Sequence, residues 1–244
     1  MSDSSIRVTR RRTLQAMAGA LAVLALPEVQ AAPTAAQEPK NKYPAKVLDL
    51  VQRSLVIDML APLKLDFRPE AYALPLTDSE AAMFRTCGIT GFHNSVGVGG
   101  ASAYEDALQF IAAWSGFAGR NSHVFSLVGK ADDLDAAKAK QKIAVIMGLQ
   151  NADEFREPKD VKAFYELGLR CAQLTYNTQN LIGSGSTERV DGGISDYGEQ
   201  IIKSMNEVGM LVDVSHSGDK TTLDAIELMK IGRASCRERV SSVV

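Results

Sequence analysis

A chain of 244 residues with 45% hydrophobic residues and a formal net charge of −2 has the ordinary composition of one globular domain. The near-neutral balance gives no electrostatic footprint for a nucleic-acid partner. No apolar run is long enough to cross a bilayer as a mature helix, so no stable membrane span is expected once a leader is removed.

The N-terminus reads as a targeting segment. Thr9-Arg10-Arg11-Arg12-Thr13-Leu14-Gln15 precedes the apolar run from Ala16 to Leu26, and Val29-Gln30-Ala31 offers small residues for cleavage. Residues 1–31 resemble a bacterial twin-arginine signal, with Thr13 where Phe is commoner. That route exports folded proteins, which predicts a periplasmic or secreted location and suits a protein that takes up a cofactor first. Residues 32–42, rich in Ala, Pro, Gln and Lys, read as a disordered linker. The fold is expected to begin near Tyr43.

From there strands and helices alternate. Ala45 to Gln52 patterns as a short amphipathic helix, and Ser54 to Asp58 as a buried strand closed by a carboxylate. Asp78 to Cys87 reads as a helix capped by Thr77 or Asp78. Ile89 to Asn94 is a second strand, ending Phe92-His93-Asn94. A glycine-rich loop, Gly97 to Gly100, leads into a helix from Ser102 to Phe117. Val124 to Val128 is a weaker strand and Asp132 to Lys140 a helix. Lys142 to Leu149 is a strong strand followed by Gln150-Asn151. Pro158 suits a helix start, with Lys159 to Leu167 behind it. Leu169 to Thr175 is a strand followed by Tyr176-Asn177. Ser195 or Asp196 caps a helix running to Val208. Met210 to Ser215 is the last strand, ending in His216, and Thr221 to Met229 the last helix.

There are three cysteines. Cys87 and Cys171 lie in apolar contexts and read as small core residues, with no zinc-motif spacing. Cys236 falls within Ile231 to Val240, IGRASCRERV, which resembles the translation of a sequencing-adapter read-through. Residues 231–244 are therefore expected to be a non-native tail, and the genuine sequence to be cut short near Lys230. A fold so shortened is expected to expose strand edges, to aggregate or fold only partly, and to be inactive as it stands.

Continuous apolar strands alternating with amphipathic helices mean parallel strands covered by helices. No Gly-x-Gly-x-x-Gly follows a strand, so a dinucleotide site has no support. Polar residues close each strong strand: Asp58, His93-Asn94, Gln150-Asn151, Tyr176-Asn177 and His216. Sites assembled from many strand tips belong to (β/α)8 barrels. The expected fold is thus an α/β TIM-type barrel with only about five β/α units, spanning residues 43–230, since a full barrel needs about 250 residues.

The tips and their spacing resemble the membrane (renal-type) dipeptidase family of metallopeptidases. The resemblance runs from about Ala45 to Met229. It is carried by Leu167-Gly168-Leu169-Arg170 through Thr175-Tyr176-Asn177, by Asp191-Gly192-Gly193-Ile194-Ser195-Asp196-Tyr197-Gly198, and above all by Gly209-Met210-Leu211-Val212-Asp213-Val214-Ser215-His216. It implies a two-zinc barrel that hydrolyses dipeptides, with His216 as a metal ligand.

Other positions depart from the family pattern. The first strand of the family ends in Asp-Gly-His-Asn-Asp, where His-x-Asp binds metal; here the run is Asp58-Met59-Leu60-Ala61-Pro62. Gln150 stands where a glutamate bridges the two ions, and a neutral amide lacks the charge for that task. Tyr176 stands where a histidine polarises the scissile group. The expectation is therefore one or two zinc ions with the first-site ligands lost, and Asp58, Asp66 and His93 as conceivable replacements. His93 has the rival reading of a histidine bonded to its own loop, and Asp58 that of a carboxylate capping a nearby loop. His123 reads as surface.

Tyr176 is expected to donate a hydrogen bond to the developing oxyanion, with Asn177 and Gln150 toward substrate. The partner is a small molecule or dipeptide. The rival readings are a non-catalytic relative that binds a peptide or small ligand in the barrel mouth, and a hydrolase of another amide or lactone.

Overall fold

A computed structural model describes residues 43–60, 69–97 and 99–229. The leader, linker and tail readings, and those for Pro62 and Asp66, lie outside the described residues.

The sheet is organised by Ile143–Leu149 (β4), a run of seven buried residues that is apolar from end to end. Such a strand is covered on both faces. Ile57–Asp58 (β1), Gly91–Val96 (β2), β4, Leu169–Gln173 (β5) and Leu211–Asp213 (β6) follow one another across the sheet, each parallel to its neighbour. Phe125–Leu127 (β3) pairs with Ile143 to Val145, and β5 with Met147 to Leu149. Ala144 pairs with Gly91 and Ser126 at once, so β3 and β5 share one edge of β4, one after the other. A register shift between Met147 and Gly148 marks the handover. The weak segment at 124–128 is thus a real strand, and the described sheet has six strands rather than five.

The register sorts the side chains into two faces. Phe92, Val145, Met147, Leu149, Ala172, Leu174, Val212 and Val214 belong to the large core. Against them pack helices Ala103–Arg120 (α3), Pro158–Glu166 (α5), Asp196–Val208 (α6) and Asp219–Leu228 (α7), through Ile111, Trp114 and Phe117, through Val161 and Phe164, through Ile201, Ile202 and Met205, and through Ala225. Residues of α3 recur at helical spacing on the buried side, and Trp114, Phe117 and Tyr72 form an aromatic cluster with centroids 5.0 to 5.7 Å apart.

The opposite face is apolar only at the N-terminal end of the strands. There Ala144 and Ile146 meet Val128, Ala137 and Leu134, the last two from helix Asp132–Ala139 (α4). From the level of Ile146, where His93 is its register partner, toward the C-terminal ends, the same face carries His93, Ser95, Gln173 and Asp213, all buried. A parallel sheet that is apolar outside and polar at its inner C-terminal end is the layout of a TIM-type barrel interior.

Local chemistry sets the helix ends. Helix Asp78–Thr86 (α2) begins with a reciprocal capping box: Glu80 N–H donates to the Thr77 hydroxyl at 3.3 Å, and Thr77 N–H to the Glu80 carboxylate at 2.8 Å. Ser195 caps α6 by accepting from Gly198 N–H at 2.9 Å, and Gly209 closes it at φ 81°. Two expectations shrink. β1 keeps only Ile57 and Asp58, both exposed, and among the described residues it pairs with β2 alone. Helix Ala45–Arg53 (α1) is amphipathic but buries none of its residues.

Candidate active site

The tips of β5 and β6 are stitched together. After β6, Ser215 N–H donates to the Asp213 carboxylate at 2.8 Å, which turns the chain out of the strand. His216 then takes a left-handed conformation, φ 62°. Across the gap Asn177 is left-handed too, φ 59°. The His216 Nδ1 and the Asn177 Oδ1 lie 2.7 Å apart. The Tyr176 ring stacks on the imidazole, centroids 4.6 Å apart and planes 26° off parallel. Behind them the Thr175 and Ser217 hydroxyls are bonded at 2.9 Å. Tyr176, Asn177 and His216, read from sequence as the tips of two strands, form one cluster.

The long loop between β5 and α6 builds the floor of that cluster. Ser186 N–H donates to the His216 carbonyl at 2.7 Å, and Thr187 N–H to the Asn177 carbonyl at 2.9 Å. Gly185 is required here, because a Cβ at that position would overlap the Asn177 backbone. Asn180 is a hub: its amide donates to the Asn151 side chain at 2.7 Å and to the Leu174 carbonyl at 2.8 Å, while its oxygen accepts from Ile182 and Gly183. Gln150 follows the last residue of β4 and is half-buried, and the bonds that join the other three residues do not include it. The site thus links to β4 through Asn151 rather than through Gln150. Nothing in the local sequence distinguishes Asn180 from other loop asparagines.

The Asp191-Gly192-Gly193 block has a structural task. Its carboxylate accepts from Gly193 N–H at 3.0 Å, Lys220 N–H at 2.6 Å and the Thr221 hydroxyl at 3.1 Å. Gly218, at the N-cap of α7, has no side chain to offer, so Asp191 caps that helix from the distant loop. Burial pushes its carboxyl upward, but the donors outweigh burial and hold it below the ordinary value of 3.8.

Two buried titratable groups lie on the β2 side. His93 is neither at a tip nor bonded to its own loop: the strand continues to Val96, and Nδ1 lies 2.9 Å from the carbonyl of Met59. Burial lowers its pKa below 6.5, against the pull of the Met59 carbonyl and the charge of Asp213. Glu154 follows the β4 tip in the turn Ala152–Glu154. It is fully buried and packed where a side chain on Gly97 would be. Burial raises its pKa to about 8, and Asp153 and Asp106 add to the rise. Sequence reading passed over Glu154; the glycines at 97 and 99 were the one hint of something tight beneath the loop. His123 is exposed, as expected. Asp58 is exposed too and accepts from Leu60 N–H at 2.9 Å, a local turn cap.

The sequence profile of Membrane dipeptidase (Peptidase family M19) matches residues 49–232. The chain belongs to the membrane dipeptidase family. Among curated relatives, it is 30% identical over 132 residues to an uncharacterised dipeptidase of Schizosaccharomyces pombe, covering 52% of this chain and 32% of the relative. It is 32% identical over 109 residues to dipeptidase 3 of Rattus norvegicus, covering 41% and 22%. Among solved structures, an amidohydrolase from Pseudomonas aeruginosa superimposes with a TM-score of 0.64 at 31% identity, covering 75% of this chain and 52% of that one. A metallopeptidase from Rhodobacter sphaeroides, liganded with a phosphinate mimic of L-Ala-D-Ala, shares the fold, with a TM-score of 0.55 at 17% identity and coverage of 72% and 62%. The chain thus spans about half the length of the first structure and under a third of the rat relative.

Membrane dipeptidases are zinc metallopeptidases, and the donors among this member's described residues do not fit a pair of ions. Leu60 and Gln150, which the resemblance sets at a ligand position and at the bridging position, supply neither an anionic nor an imidazole donor. Among the described residues no group of three His, Cys, Asp or Glu side chains is arranged to hold a metal. Among them, too, no helix is long and apolar enough to cross a membrane.

Proposed function

We propose that the protein is a periplasmic, dipeptidase-like hydrolase whose substrate enters at the C-terminal mouth of the barrel. The observation that carries this reading is the Tyr176–Asn177–His216 cluster. It sits at adjacent strand tips, where barrel enzymes put their chemistry, inside the segment that matches the family. In this reading the Tyr176 hydroxyl donates a hydrogen bond to the carbonyl oxygen as negative charge develops there. His216 would be one donor to a single zinc ion, which would supply Lewis-acid polarisation, and Gln150, at the next tip, faces substrate. The dipeptide mimic held by the Rhodobacter sphaeroides neighbour supports a dipeptide as substrate. The twin-arginine-like leader supports export.

The test is metal content together with L-Ala-D-Ala hydrolysis, measured on the protein expressed from its complete reading frame. Stoichiometric zinc and turnover lost to a chelator are expected. A second reading is favoured by Leu60 and Gln150: a relative that binds a peptide or small ligand without cleaving it. Saturable dipeptide binding with neither metal nor turnover would establish that reading in place of the first.

A further inference from the structure

We propose that Asn177 is the positioning residue for His216, holding the imidazole proton on Nδ1 so that Nε2 carries the electron pair. The use made of His216 rests on the hydrolase reading; the assignment of the proton does not.

A side-chain amide oxygen only accepts hydrogen bonds, so at 2.7 Å from Asn177 Oδ1 the ring nitrogen Nδ1 is the donor. In a neutral imidazole one nitrogen donates and the other accepts, which makes Nε2 the basic end of the ring. A histidine that serves a metal or a proton needs this division, with the far nitrogen tied to an oxygen acceptor.

The backbone makes the pairing specific. Both residues are left-handed, a conformation that asparagine tolerates better than most non-glycine residues. Successive residues of one loop hold both carbonyls: Ser186 N–H on His216, Thr187 N–H on Asn177. The Thr187 hydroxyl adds a second bond to the Asn177 carbonyl at 2.8 Å. Neither residue turns without breaking that loop. Stacking on Tyr176 fixes the plane of the imidazole, and Asn177 fixes its rotation within that plane. The side-chain oxygen of Asn177 is therefore committed to His216 rather than to substrate.

The experiment is nitrogen-15 NMR of the His216 ring in the protein from its complete reading frame, with Asn177→Gly and Asn177→Asp beside it. Glycine keeps the left-handed backbone and removes only the side chain. Aspartate keeps an oxygen acceptor. In the wild type a protonated Nδ1 and an unprotonated Nε2 are expected. Asn177→Gly should lose that bias and slow L-Ala-D-Ala hydrolysis at least tenfold, and Asn177→Asp should restore the bias. A wild-type proton on Nε2, or a tautomer unchanged in Asn177→Gly, would overturn the proposal. Absence of wild-type turnover with the Nδ1 proton in place would sink the hydrolase reading and leave the positioning role standing.

Discussion

The imidazole of His93 occupies the space that a side chain on Gly148 would fill. A Cβ there would overlap Nε2 and come within 2.7 Å and 2.8 Å of Cδ2 and Cε1. Gly148 lies on β4 and His93 on β2, and both face inward. The glycine is thus the cavity for the histidine. Gly148→Ala is expected to destabilise the fold by about 1–3 kcal/mol, the usual cost of overpacking. Adding His93→Ala to it should recover part of that loss, because the two positions share one volume. Chemical denaturation of the single and double variants measures this. Additive losses would show that the ring does not depend on the glycine.

Glu154 gives the fold a pH dependence of unusual sign for a carboxylate. The unfolded chain releases this proton near the ordinary 4.5, while the fold retains it to about 8. Between those values the folded state binds more protons, so stability falls as pH rises. The slope is at most about 1.4 kcal/mol per pH unit and the total about 5 kcal/mol, levelling off above 8. Glu154→Gln keeps the shape without the charge. Its stability relative to wild type is expected to climb from pH 5 to pH 8. Parallel curves for the two proteins over that range would mean that Glu154 ionises normally.

Strand β4 was legible because seven consecutive buried apolar residues need no context, and β6 because an apolar run stops at a polar tip. His93 was misplaced because the sequence offers polar residues, His93-Asn94-Ser95, where a strand was expected to end. In fact the strand goes on with alternate residues facing a polar interior, a property of the assembled sheet. The short β1 has the same cause: its burial depends on neighbours rather than on its own residues. That β3 and β5 share an edge of β4 is set by register, which local pattern does not encode. At the site, Tyr176, Asn177 and His216 were found by their places at strand tips. The bond between Asn177 and His216 was not, since no spacing rule links two left-handed residues 39 positions apart.

Asp191 predicts a stability effect of the opposite sign to Glu154. Its carboxyl is held below 3.8 by the donors at the start of α7, so its contribution is present above that value and lost as pH falls below it. Asp191→Ala removes a helix cap and is expected to cost about 1–2 kcal/mol. The loss should be larger at pH 7 than at pH 3 in thermal denaturation. A Tm unchanged at pH 7 would mean that water replaces the carboxylate without penalty.

Tyr176→Phe separates the two things Tyr176 does. The stack on His216 is made by the ring, and phenylalanine preserves it. The proposed bond to the oxyanion is made by the hydroxyl, which phenylalanine lacks. If the hydroxyl acts in the transition state, the loss falls on kcat, about 100-fold by analogy with other oxyanion donors. KM should change little, because a bond that forms only as charge develops adds nothing to ground-state binding. The melting temperature should hold as well. Steady-state kinetics with L-Ala-D-Ala on the protein from its complete reading frame, beside a melting curve, read all three quantities. Unchanged kcat with an intact fold would leave Tyr176 with its stacking role alone. A rise in KM at constant kcat would place the hydroxyl on the bound substrate instead of on the developing charge.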